Sequence, residues 1–211
     1  MRFFERTHVY REDWETVTSA WWVKYPNPEA SHVKEIHTVA RDMSSDRFRM
    51  KRLFYLEYGL PSWIQKIFKI KMEGWALEDV ECSRESRVLT AKGRNVTFSS
   101  FFQMEEEIKY TEHPENPRWT QFNQRMQFKV LGFGLLGGKL ETAARDNAEI
   151  KSSNGLAVME GVISRVKASG QARADQWALD ANRKVENASN DIMNKMTLHP
   201  SDEFDFPSTS A

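Results

Sequence analysis

Asp46-Arg47-Phe48-Arg49-Met50-Lys51-Arg52-Leu53-Phe54-Tyr55-Leu56-Glu57 alternates from side to side. Its even positions are Phe48, Met50, Arg52, Phe54 and Leu56, while Arg47, Arg49 and Lys51 fall among the odd ones. A period of two with one apolar side is the pattern of a strand whose one face is covered and whose other face meets water. The same pattern recurs at Phe102, Met104, Glu106, Ile108 and Tyr110, and again at Phe122, Met126, Phe128 and Val130. One side of a sheet is therefore covered, with rare polar interruptions.

Working outward, six strand-like stretches can be read at about 32–43, 46–57, 72–82, 86–98, 101–112 and 118–130. Most are separated by short turns: Ser44-Ser45-Asp46, Ser83-Arg84-Glu85 and His113-Pro114-Glu115-Asn116-Pro117. Links this short make consecutive strands antiparallel neighbours. A further strand, residues 3–11, precedes them. It leads into a helix that Asp13 or Glu12 can cap, with Trp14, Val17, Thr18 and Trp21 at helical spacing. Pro26 in Tyr25-Pro26-Asn27-Pro28 ends that helix. After the strands, Gly132 to Gly138 is a glycine-rich approach to a long helix from about Leu140 to Lys167. Leu140, Ala144, Ile150, Leu156, Met159, Val162 and Ile163 are its candidates for packing on the sheet. The expected fold is α+β: a curved antiparallel sheet gripping a long helix. The predicted division is a domain over 1–169 and a polar, alanine-rich helical extension with a disordered tail over 170–211. No internal repeat is visible.

Bulk composition narrows the function. Thirty basic and thirty acidic residues cancel, which argues against a nucleic-acid binder working by net charge. The single cysteine, Cys82, excludes an internal disulfide and any cysteine-based zinc site. No apolar run approaches the length of a membrane span. The opening MRFFERTHVYRED has no h-region and carries Glu5, Glu12 and Asp13, so any organelle import is expected to use something other than a cleaved leader. Histidines 8, 32, 37, 113 and 199 have no metal-ligand spacing, and no nucleophile elbow or phosphate loop occurs. Gly132-Phe133-Gly134 lacks the Gly-Lys-Ser/Thr that a phosphate loop requires. Glu105-Glu106-Glu107 lie on a strand, so neighbouring carboxylates point to opposite faces. No catalytic residue, cofactor or metal is therefore expected.

Three features interrupt the core pattern. Arg52 and Glu106 put charge on covered faces; either they form a buried ion pair that fixes register, or Arg52 lines a cavity and meets an anion. Leu60, Pro61, Trp63, Ile64, Ile67 and Phe68 form an apolar insertion between strands, beside Lys66, Lys69 and Lys71. That insertion suits a lid over the core, an anionic membrane surface, or both. Lys151 and Asn154 share a helix face and are either solvated or part of a site.

The motifs Asp13-Trp14-Glu15-Thr16-Val17, Lys24-Tyr25-Pro26-Asn27-Pro28, Arg52-Leu53, Glu57-Tyr58-Gly59-Leu60-Pro61-Ser62, Trp75-Ala76-Leu77-Glu78 and Glu105-Glu106 occur in this order. Together they resemble the PRELI-like family, and His113 to Pro117 resembles its slowmo branch; the likeness covers roughly residues 1–167. The resemblance implies a seven-stranded sheet around a long helix, with a lid loop. It implies a non-enzymatic carrier of phosphatidic acid or phosphatidylserine in the mitochondrial intermembrane space, and a small partner with twin Cys-x9-Cys motifs. Lys24 stands where the family has a basic residue ahead of Tyr-Pro-Asn-Pro, and His32 matches a histidine found in its phosphatidic-acid branch. Leu56 and Gly59 stand where some members have lysines, which favours phosphatidylserine. Lys151-Ser152-Ser153-Asn154 reverses the family's Asn-x-x-Lys order. The expected headgroup contacts are thus Lys24, His32, Arg52, Lys151 and Asn154, below a cavity lined by Phe54, Leu56, Phe102, Phe122 and Met126. The other possibilities are an enzyme such as a cyclase on the same architecture, or an adaptor insensitive to lipid.

Overall fold

The computed structural model describes residues 1–44, 47–57 and 73–170, together with the isolated positions 183, 187 and 190. The proposed lid residues and the helical extension lie outside the described residues. Seven strands form one antiparallel sheet: β1 (Arg2–Tyr10), β2 (Val33–Met43), β3 (Arg47–Glu57), β4 (Glu73–Ser83), β5 (Val88–Asn95), β6 (Phe102–His113) and β7 (Asn116–Val130). Their order across the sheet is β1-β7-β6-β5-β4-β3-β2. β2 to β7 form a meander in which each strand pairs with the next in the chain. β1 alone pairs far along the chain, with Arg2 opposite Phe128 and Tyr10 opposite Thr120.

The helix α1 (Trp14–Trp22) lies between β1 and β2 in the chain and so carries it from one edge of the sheet to the other. Of the two candidate caps, Asp13 is the one used: its carboxylate accepts from Thr16 N at 2.8 Å. Trp14, Val17, Thr18, Ala20 and Trp21 are buried, and Trp14 Nε1 donates to Tyr110 O at 3.2 Å. That bond satisfies an indole buried among apolar groups.

The helix α2 (Leu135–Ser169) begins five residues before the expected Leu140. Gly132 and Gly134 supply positive φ angles of 81° and 49°, and the chain then enters the helix directly, so Gly137 and Gly138 are helical. The apolar stripe also differs from expectation. Ile150 is 62% exposed, whereas Ala144, Ala148 and Ser152 are buried. Two residues past Ala148, a 3.6-residue helix has turned more than half a revolution, which carries Ile150 to the outer face. Elsewhere the limits move by a few residues: β5 stops at Asn95, whose side chain bonds Thr97 O, Phe102 O and Met104 N at 2.7–2.8 Å and closes the loop.

The interior falls into two apolar clusters. One joins Trp14, Val17 and Trp21 of α1 to Met50, Val80, Leu89, Tyr110 and Phe122 of the sheet and to Val158, Met159, Val162 and Ile163 of α2. The other holds Met126, Phe128, Ala144 and Ala148, with Phe4, Phe102 and Met104 against them.

Candidate functional site

Between the two clusters the concave face of the sheet carries a row of non-apolar residues. Arg52 stands opposite Glu78, Glu78 opposite Gly93, and Gly93 opposite Glu106. Gln124 on β7 lies two residues before Met126, the partner of Glu106, and faces the same way. The row borders a cavity of about 240 Å³ between sheet and α2. Among the α2 residues bordering the cavity, Ala144, Ala148, Ser152 and Gly155 have side chains too small to fill the space between helix and sheet.

Phe54, Leu56, Phe102, Phe122 and Met126 all border the cavity, as do Lys24, His32, Arg52 and Lys151. Asn154 does not: it is exposed, on the outer side of α2, and Asn147 and Ser152 occupy the cavity side instead. Arg52 and Glu106 both face the cavity but do not pair with each other. The Arg52 guanidinium binds Glu78, its Nε 2.7 Å and its Nη2 2.5 Å from Oε2, and lies over the rings of Trp21 at 4.4 Å and Phe54 at 5.1 Å. The charge is thus neutralised and stacked, as burial requires.

Glu106 has a weaker anchor. Gln124 Nε2 donates to its Oε1 at 2.5 Å, and Gln124 Oε1 in turn accepts from Ser152 Oγ, which links β6, β7 and α2. Glu106 is only half-buried by surface area, yet that surface opens on the cavity rather than on bulk water. Burial therefore pushes its carboxyl pKa up; the Gln124 bond opposes the rise, Glu78 adds to it and Lys24 opposes it.

A basic corner lies where α2 passes the edge strands. Lys151 Nζ donates to Glu57 O at 3.0 Å, and burial lowers its pKa against the pull of Glu57. Lys24 Nζ sits 5.3 Å from the centroid of the Tyr25 ring and 3.9 Å from where a Cβ on Gly155 would stand. Neither amine forms an ion pair with a carboxylate among the described residues. Burial first, then Lys151, Lys24 and Lys34, lower the His32 pKa from 6.5 to about 4, so its imidazole is neutral at neutral pH. A corner with this charge can take an anion, and the apolar walls beyond it can take hydrocarbon. Gly93 and Gln124 are not among the residues the sequence singles out, and Glu78 enters there only within a family motif, although each interrupts an alternating face as Arg52 and Glu106 do. Among the described residues no group of His, Cys, Asp and Glu could hold a metal ion, and no helix is long and apolar enough to cross a membrane.

Residues 15–169 match the model of the PRELI-like family. A UPS-like protein of Schizosaccharomyces pombe is 29% identical over 171 residues, 80% of this chain and 92% of the relative. The slowmo homolog of Dictyostelium discoideum is 25% identical over 162 residues, 76% of this chain and 70% of the relative. Among solved structures, an aromatase/cyclase from Streptomyces sp. R1128 aligns over 80% of this chain and 94% of its own, with a TM-score of 0.49 and 14% identity.

Proposed function

The chain belongs to the PRELI-like family, and from that premise we propose that it carries an anionic phospholipid, phosphatidylserine in preference, between two membranes. The observation that carries the reading is the cavity itself, with apolar walls and a corner bearing two lysine amines that form no ion pair with a carboxylate among the described residues. Each CH2 exposed to water costs about 0.8 kcal/mol, so a diacyl lipid leaves a bilayer slowly unless a cavity shields its chains. Shielding breaks and forms no covalent bond, and no catalytic group is needed. At about 240 Å³ the cavity is smaller than the roughly 300–1,000 Å³ of ordinary ligand sites, so loading two acyl chains moves its walls apart.

Lys24, His32 and Lys151 receive the phosphate in this reading, and residues 60–68 serve as the lid that meets the membrane. The family resemblance supports a place in the mitochondrial intermembrane space and a small twin Cys-x9-Cys partner. A phosphatidic acid carrier is the second reading, favoured by the two lysines around one imidazole, which suit a doubly charged phosphate. The test is transfer of labelled lipids between vesicles, with mass spectrometry of the lipid that co-purifies. Recovery of an anionic phospholipid with faster exchange than phosphatidylcholine is expected. A protein that binds no lipid and accelerates no exchange is an adaptor.

A further inference from the structure

The polar row is unbalanced. Arg52 neutralises Glu78, but Glu106 has no ion-pair partner among the described residues, and Gln124 occupies only its Oε1. Next to it the row has a gap, since Gly93 has no side chain, and a Cβ built there would lie 3.9 Å from Glu106 Oε2. The gap therefore opens on the cavity between two carboxylates, Glu78 on one neighbouring strand and Glu106 on the other. Gln124, itself held by Ser152, fixes the carboxyl of Glu106 at its other oxygen.

Taking the lipid-carrier reading as given, we infer that the gap over Gly93 seats a primary ammonium of the headgroup, with Glu106 Oε2 as its acceptor and specificity-determining atom. The cavity then holds uncompensated charge of both signs, and a headgroup with a phosphate and an ammonium neutralises both. Phosphatidic acid offers no cation to Glu106. A quaternary ammonium offers no N–H donor and is too broad for a gap one side chain wide. An ammonium at Oε2 favours the ionised carboxylate and so opposes the rise that burial imposes on the Glu106 pKa.

The experiment is a competition in which donor vesicles contain labelled phosphatidylserine, phosphatidylethanolamine and phosphatidic acid together. Glu106→Gln keeps the shape and the Gln124 contact but removes the charge. It should cut transfer of both amine lipids relative to phosphatidic acid by about tenfold or more, the loss of one charge-assisted bond. Gly93→Val fills the gap without touching a charge, where an added Cβ meets only ordinary contacts, and should shift the ratio the same way. It carries the test if Glu106→Gln fails to fold. An unchanged ratio of amine lipids to phosphatidic acid in the folded variants overturns the inference and leaves the carrier standing. Wild-type protein that transfers none of the three lipids overturns the carrier reading and the inference with it.

Discussion

The two halves of α2 face the same sheet and do opposite things. From Val158 to Val166 the inward positions are Val158, Met159, Val162, Ile163 and Val166, all buried, and with α1 they pack into one apolar cluster. From Ala144 to Gly155 they include the small Ala144, Ala148, Ser152 and Gly155, with Asn147 and Lys151 beside them, and the space stays open as a cavity. One half holds the fold together, and the other forgoes packing energy to leave room for a guest. Stability and ligand capacity are thus separated along a single helix, divided near Leu156.

Substitutions that exchange the two characters test this division. Met159→Ala, in the filled half, should cost about 2–5 kcal/mol, read from denaturant unfolding, because a fully buried side chain leaves a hole. Ala148→Phe, in the open half, should lower lipid transfer by tenfold or more while the unfolding midpoint moves little, since the ring enters space that is already empty. A large loss of stability with Ala148→Phe would mean the cavity collapses in solution. Within the basic corner, Lys151→Ala should weaken lipid extraction about ten- to a hundredfold in a vesicle assay. Asn154→Ala, on the exposed side of the same turn, should leave extraction unchanged.

A smaller effect distinguishes the corner by pH. His32 titrates at about 4 in the folded protein against 6.5 when unperturbed, so between these values the unfolded chain takes up a proton that the folded one refuses. Stability should therefore fall as pH drops from about 6.5 towards 4, and His32→Gln should flatten that part of a stability-against-pH curve.

The sheet was largely legible because alternation needs no knowledge of partners: Phe48 to Leu56 show their inner face in the sequence itself. Partners were not. An Arg52–Glu106 pair is one of the two arrangements the sequence allows, yet register puts Glu78 opposite Arg52 and leaves Glu106 three strands away. Ile150 misled for a related reason, since its apolarity outweighed its angle on the helix, and it faces water. Spacing places Asn154 beside Lys151 on one helix face, yet only Lys151 borders the cavity and Asn154 is exposed. The cavity was the least legible element. It arises from what Ala144, Ala148, Ser152 and Gly155 lack, and small residues on a helix ordinarily signal close packing rather than a void.

The pairing of β1 with β7 has a consequence for how the molecule comes into being. Arg2 meets Phe128, so the opening strand has no neighbour until well over half of the chain is available. Contacts of such long range must be reached against the entropy of closing a large loop, which makes folding slow. Until then β1 presents an open backbone edge, and the β7 edge that will receive it is open as well, a state prone to aggregation. A nascent or translocating chain of this design stays vulnerable until its last strand arrives, and any companion that covers the waiting edges would raise the yield of folded protein without altering the finished structure.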